Sequence, residues 1–330
     1  TYTFMNSEKM EELFDHEIEG CFLYSRHWNP SAKYLSDALA RMEGGTAAQV
    51  MGSGMAAISC TLMQLCGAGD HIVSSRTIYG GSYALMKNLL PRWGINTTFV
   101  DTTNLDKVRA AITGKTKVIY CETLSNPLLE VNDIKALSAL AKEAGVKLVV
   151  DNTFAPMIFS PLRHGADIVV HSLTKYINGT SDCVGGAVIT NHDFIASLMD
   201  INCGPSMLLG PVLDSFRAAS ILKNLHSLHI RMKKHGENGM FLARHLAEKG
   251  LDVHYPGLPD HPGHKLMNAT RNDGYGYGGI LTLDAGTSER SGKLMTLMQE
   301  RKVGYLAVSL GYFKTLFSAP GHSTSSVSYT

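Results

Sequence analysis

The chain has 330 residues, 44% of them hydrophobic and 18% charged, which supplies enough apolar material for a large buried core and excludes a disordered or fibrous polymer. Thirty Lys and Arg against twenty-nine Asp and Glu leave a formal charge of +1, a balance with no field for gathering nucleic acid or docking on an acidic membrane. A typical domain of roughly 150 residues predicts about two domains.

The first stretch, TYTFMNSEKMEELFDHEIEG, is acidic and lacks a basic segment leading into an apolar one, so it does not read as a secretory leader; with Thr1 in place of an initiator Met, the natural start is expected upstream. From residue 70 onward, short β-branched runs alternate with helical stretches. HIVSS (71–75) precedes YALMKNLL, NTTFVD (96–101) precedes NLDKVRAAI, and KVIYCETL (117–124) precedes NDIKALSALAKEAG. KLVVDNT (147–153), ADIVVHSL (166–173) and GGAVIT (185–190) follow. Strands that are apolar throughout, rather than alternating, suit a sheet covered on both faces, so the spacing predicts a largely parallel α/β domain with ligands where strand ends meet helix starts.

Past residue 210 the pattern becomes a long helical region, LDSFRAASILKNLHSLHIRMKKHGENGMFLARHLAEKG, with a break predicted around Gly236 and Gly239. DVHYPG, GGILTLDA and VGYLAVSL then surround the helical SERSGKLMTLMQERK, which reads as a smaller α+β domain. The boundary is expected near residue 212, and YGYGG (275–279) marks a turn or a close backbone approach. No apolar run approaches the roughly 18 residues of a membrane span, because Asp151, His171 and Lys175 interrupt the most apolar stretches. Six scattered cysteines, with no CxxC pair and no His at finger spacing, read as reduced thiols of a cytoplasmic protein, with no disulfide framework and no metal site.

Three segments carry potential chemistry. VVDNTFAP (149–156) and VVHSLTKYINGTSD (169–182) each lie at the end of a predicted buried strand. A cation beside apolar segments must be paired, shifted in pKa or covalently occupied. An unprotonated Lys175 can attack an aldehyde, and Asp151 can hold a pyridine nitrogen protonated. Taken singly, Asp151 reads better as a helix cap and Lys175 as a solvated loop residue; Ser172 and Thr174 tilt the balance, with two hydroxyls beside the lysine able to meet phosphate oxygens. QVMGSGMAAISC (49–60) joins glycines to a helix start, which can be an anion site, a structural turn or, as Gly52, Gly54 and Ala57 in GxGxxA with Asp70 beyond, a dinucleotide fingerprint. No clear β-branched strand precedes it. In TIYGGSYALM (77–86), Tyr79 stands at a strand end, suited to stacking on a flat cofactor or to simple half-buried packing.

YSRHWNPS (24–31), GSGMAA (52–57), YGG (79–81), ETLSNP (122–127), DNTFAP (151–156), HSLTKY (171–176) and AVSLG (307–311) resemble, in order and spacing, the motifs of the Cys/Met-metabolism family of pyridoxal-phosphate enzymes. The resemblance spans nearly the whole chain, and YSRHWNPS with SMLLGP (206–211) is most similar to the plant-type methionine γ-lyase branch. It implies the aspartate-aminotransferase-like architecture of fold type I, with an N-terminal arm (1–25) reaching a neighbouring subunit, a cofactor-binding large domain (26–212) and a small C-terminal domain (213–330).

It further implies that Lys175 forms a Schiff base with pyridoxal 5'-phosphate, Asp151 pairs with the ring nitrogen and Tyr79 stacks on the ring. Gly54 and Met55 amides, with Ser172 and Thr174 hydroxyls, would hold the phosphate. Tyr24 and Arg26 would reach the phosphate of a second subunit, in a homotetramer of two active dimers. Asn126 would lie by the phenolic oxygen and Ser309 by the substrate carboxylate. Family members that handle cystathionine carry Arg five residues after the stacking Tyr and an acid before the AVSLG-type serine; Ala84 and Val308 stand there in this chain. This favours α,γ-elimination of L-methionine to methanethiol, 2-oxobutanoate and ammonia. O-acetylhomoserine sulfhydrylase and cystathionine γ-lyase or γ-synthase activities are the family alternatives, and a nicotinamide dehydrogenase is the rival from another class. Gly81 replaces the cysteine of many bacterial methionine γ-lyases, and the family's carboxylate-binding Arg, unmatched up to Thr330, is expected in a continuation of the chain.

Overall fold

The computed structural model describes residues 2–15 and 20–319. Residues 1 and 16–19 of the expected arm, and residues 320–330 of the expected small domain, lie outside the described residues. A seven-stranded sheet forms the centre: β1 (Ala47–Met51), β2 (His71–Ser75), β3 (Asn96–Val100), β4 (Thr116–Glu122), β5 (Lys147–Asp151), β6 (Ile168–Ser172) and β7 (Gly186–Thr190), in the spatial order β1-β7-β6-β5-β4-β2-β3. Strands β2 to β6 pair in parallel; β7 runs antiparallel to both β6 and β1. The protein is therefore an α/β fold with a mostly parallel sheet, as the apolar runs predict.

Both faces are covered. On one side Val149, Tyr120, Val170 and Ile168 pack with Ile58 and Leu62 of the helix Gly54–Leu65. On the other, Val150, Cys121 and Val169 pack with Leu35 and Leu39 of the helix Pro30–Glu43 and Leu137 of the helix Ile134–Ala144. Because side chains alternate along a strand, Glu122, Asp151 and Ser172 share the face of Tyr120, Val149 and Val170. His171, one residue earlier than Ser172, belongs to the opposite face, where its Nε2 lies 2.7 Å from Glu43 Oε1.

Two expectations are corrected. The glycine turn at 52–54 does follow a strand: all of AAQVM is buried, and pairing with β7 from Ala47↔Thr190 to Met51↔Gly186 makes a strand of a segment with little intrinsic preference for one. The long helix also does not break at its glycines. It runs unbroken from Leu228 to Glu248, and the interruption falls at His226 and Ser227, after the helix Ser215–Leu225. Gly236 and Gly239 are instead points of approach, since a Cβ on either would come within 2.5 Å of the Tyr275 or Gly278 carbonyl oxygen. The YGYGG segment thus makes the close backbone contact expected of it, with Gly276 and Gly278 at φ of 72° and 98°.

Beyond residue 250, Asp252–His254 pairs antiparallel with Thr282–Asp284, and Tyr305–Leu306 pairs in parallel with Leu316–Phe317, with the helix Ser288–Glu300 between. Among the described residues no helix is long and apolar enough to cross a membrane.

Candidate active site

The carboxyl ends of β4, β5 and β6 lie side by side, and each delivers a polar residue there: Glu122, Asp151 and Ser172. Glu122 and Asp151 are register partners. Asp151 is buried; its Oδ1 accepts from the Thr153 amide at 2.9 Å and its Oδ2 from the Tyr120 hydroxyl at 3.4 Å. It does not cap a helix. Thr153 turns back, and its Oγ1 accepts the Ser172 amide at 2.8 Å, which ties the ends of β5 and β6 together.

Ser172 faces the start of the helix Gly54–Leu65. Ser53 caps that helix by accepting the Ala56 amide at 3.1 Å, which leaves earlier amides of the first turn for another acceptor. A Cβ on Gly54 would lie 2.8 Å from Ser172 Cβ, and one on Gly186 would lie 2.0 Å from the Ser53 carbonyl oxygen, so only glycines let the helix start sit on the ends of β6 and β7. Thr174 is engaged with Gly185, accepting its amide at 3.2 Å.

Lys175 lies in the turn after β6, largely removed from water. Desolvation disfavours its ammonium form and lowers its pKa, and Nζ donates to Ser309 Oγ at 3.2 Å. That contact joins two sequence-predicted residues from opposite ends of the chain. Gly311, two residues after Ser309, rests on the Lys175–Tyr176 peptide at φ 78°, where a Cβ would meet Tyr176 N at 2.4 Å. Gly311→Ala is expected to lower stability by about 1–3 kcal/mol from positive φ and collision together, read as a lower urea midpoint; an unchanged midpoint would remove this account of the motif's last glycine.

Tyr79 stands at the start of a helical stretch, half-exposed, with Met55 near it: a Cβ on Gly81 would come within 2.5 Å of Tyr79 Cε1 and 3.1 Å of Met55 Sδ. The ring position therefore demands glycine at 81, where a cysteine would push it aside. Glu122 escaped the sequence reading. One carboxylate oxygen accepts the Tyr79 amide at 2.7 Å and the other the Asn126 amide at 3.1 Å, so it fastens both segments. Burial and the neighbouring Asp151 hold its pKa well above the ordinary carboxylate range, and burial raises that of Asp151 as well. The signal was present: an acid closes KVIYC as another closes KLVV.

Tyr24 and Arg26 sit in a different neighbourhood. The Arg26 guanidinium lies 5.6 Å from the Tyr24 ring centroid and donates to the Met207 carbonyl at 2.9 Å. Val308 is exposed at 60%, and Ala84 is exposed too. The dinucleotide reading of GSGMAA fails on topology. β1 pairs with the reversed β7, Met51 at its end bridges antiparallel to Val212, β2 lies across the sheet, and among the described residues no parallel pair flanks the glycine turn; Asp70 accepts locally from the Gly67 amide at 2.8 Å.

Pyridoxal phosphate fits this set of groups. An amine whose ammonium form is disfavoured by desolvation, a buried carboxyl and a glycine at a helix start match its aldehyde, ring nitrogen and phosphate. The fold and site together thus define a pyridoxal-phosphate enzyme of fold type I. The chain belongs to the Cys/Met metabolism PLP-dependent enzyme family, whose model matches residues 1–328. It is 44% identical to a methionine gamma-lyase of Arabidopsis thaliana across 99% of this chain and 75% of that protein. It is 41% identical to an L-methionine gamma-lyase of Fusobacterium nucleatum subsp. polymorphum across 99% of this chain and 82% of that one. The crystal structure of metB from Corynebacterium glutamicum superposes with a TM-score of 0.84 at 36% identity, covering 92% of this chain and 77% of that one.

Proposed function

We propose that the protein eliminates the γ-methylthio group of L-methionine, consuming water and yielding methanethiol, 2-oxobutanoate and ammonia. The observation that carries this reading is the desolvated Lys175 amine in contact with Ser309 at the strand ends. When bound, pyridoxal phosphate supplies an aldehyde that captures amines and a conjugated ring that accepts the electrons of broken C–H bonds.

The chain's own residues do the rest. Lys175, whose desolvation disfavours the ammonium form, would hold the cofactor and would serve as the base for the substrate's α-proton. Asp151 keeps the ring nitrogen protonated, and the Gly54 and Met55 amides, with the hydroxyls of Ser172 and Thr174, hold the phosphate. Tyr79 would contact the cofactor ring and would donate a proton to the departing sulfur; Asn126 would hold the phenolic oxygen. Ser309 steadies the substrate carboxylate beside Lys175.

Ala84 and Val308 offer no charge to the distal ammonium and carboxylate of cystathionine, which supports a methylthio substrate, as do the two methionine gamma-lyases among the relatives. Tyr24 and Arg26 serve the phosphate of a neighbouring subunit in a tetramer of two dimers. In support, Leu208 and Leu209, the two residues after the Met207 whose carbonyl accepts from Arg26, are exposed apolar side chains in this chain. A cytoplasmic setting agrees with six free cysteines.

Incubation of the cofactor-loaded enzyme with methionine alone is expected to release methanethiol and 2-oxobutanoate in equal amounts, with kcat/KM for methionine about 10-fold or more above that for cystathionine. No release from methionine alone, with acetate released and the thiol consumed when O-acetylhomoserine and a thiol are supplied, would convert the assignment to a sulfhydrylase.

A further inference from the structure

The turn that carries Lys175 is gripped from behind by a residue that belongs to no motif. Arg231 projects from the helix Leu228–Glu248, and its Nη1 donates to the Tyr176 carbonyl while Nη2 donates to the Ile177 carbonyl at 3.0 Å. The remaining donors fix the guanidinium itself: Nη2 also reaches the Asn224 carbonyl at 3.1 Å, and Nε the Ser227 hydroxyl at 2.9 Å. Among the described ion pairs none involves Arg231, so its partners are neutral oxygens. A partly buried guanidinium bound only to carbonyls and a hydroxyl is a costly arrangement for stability alone.

The grip reaches Lys175 directly. The Gly179 amide donates to the Lys175 carbonyl at 2.8 Å and the Asn178 amide to the Leu173 carbonyl at 2.9 Å. Gly179, at φ 75°, lies flat against the guanidinium; a Cβ there would sit 2.4 Å from Arg231 Nη1. The Asn224 side chain adds a second hold, donating to Asn178 Oδ1 at 2.8 Å and to Thr180 Oγ1 at 3.0 Å. Gly311 also rests on the Lys175–Tyr176 peptide, so the backbone of the reactive lysine is in contact with both the helix Leu228–Glu248 and the segment after Ser309.

We propose that Arg231 is a positioning residue for the Lys175 amine, setting the turn 175–179 through its two carbonyl contacts so that Nζ meets Ser309 and the reacting atoms. This rests on the assignment of Lys175 as the covalent base. A lysine at 231 keeps the charge but cannot fork to two carbonyls; an alanine at 179 pushes a methyl into the guanidinium. Small displacements of a reacting group cost up to roughly 100-fold in rate.

Two readouts test the proposal. In the cofactor-free protein, Arg231→Lys should speed amide hydrogen exchange at Asn178 and Gly179 about 10-fold or more, relative to exchange in the strands of the central sheet. In the holoenzyme, kcat for methionine per cofactor-loaded site should fall about 10-fold or more with KM within about threefold. Gly179→Ala should do the same, and the double variant should lose less than the sum, because both disturb one contact. Should Arg231→Lys fail to fold, Gly179→Ala and Asn224→Ala carry the test. Exchange and kcat per loaded site within twofold of the wild type in the variants that fold would overturn it. If the wild type itself takes no colour or leaves methionine intact, the functional reading fails, while the exchange result still decides the grip on the turn.

Discussion

Lys175→Ala is expected to abolish elimination, with a fall beyond about 1,000-fold, because one amine serves as covalent anchor and as base. The Gly54 amide, the Ser172 hydroxyl and the Asp151 carboxylate remain in place, so the variant should still take up pyridoxal phosphate, but with the absorption of the free aldehyde and without the band that borohydride bleaches. Stability should change little or rise, since the wild-type amine is desolvated and has a single hydroxyl as its described partner. Near-normal methanethiol release by the purified variant would refute the assignment of Lys175.

Asp151→Asn is expected to separate stability from function. Asp151 and Glu122 are buried register partners, each with a carboxyl pKa raised by burial, and Glu122 further by Asp151 itself. An acid whose folded pKa is raised keeps its proton longer in the folded chain than in the unfolded one. The destabilisation is therefore absent below the unfolded pKa of about 4 and grows as pH rises through the folded value. The cofactor-free wild type should accordingly lose melting temperature between mildly acid and neutral pH. Asp151→Asn retains an oxygen for the Thr153 amide, removes one charge and relieves the other. It should melt about 1–2 °C higher at neutral pH for each kcal/mol recovered, with a shallower pH slope. Elimination should fall at least about 100-fold, the size of effect seen when a preorganised electrostatic group is lost. A variant that melts lower than the wild type at neutral pH, or that turns over normally, contradicts this account.

How much could be read in the sequence follows from how locally each feature is encoded. Strands β2, β4, β5, β6 and β7 were legible because a sheet covered on both faces needs unbroken apolar runs, and HIVSS, KVIYC, KLVV, IVVHS and GAVIT supply them. AAQVM was missed because its strand conformation comes from pairing with β7, not from its own residues. The helix from Leu228 to Glu248 seemed to break at Gly236 and Gly239 because their purpose, letting the Tyr275 and Gly278 carbonyls approach, depends on a segment far along the chain. The residues at strand ends, Asp151, Ser172 and Lys175, were visible as polar groups set against apolar ones. Glu122 carries the same pattern, and reading strand-terminal acids uniformly would have found it. Arg231 could not be found that way, since RMKKH resembles any solvated helix face and only the fold brings it behind the lysine.

The strand ends that converge at Lys175 come from a helix start at Gly54, a turn at Tyr79, three strands and a loop at Ser309, more than 250 residues apart in the chain. The unfolded chain does not bring these segments together, so a compound bridging them binds the native form in preference to the unfolded one. Mass action then makes vitamin supply a thermodynamic brace: a free concentration a thousandfold above Kd adds about 4 kcal/mol to native stability. The same protein should be a durable catalyst in cells replete with the vitamin and a short-lived proteolytic substrate in cells starved of it.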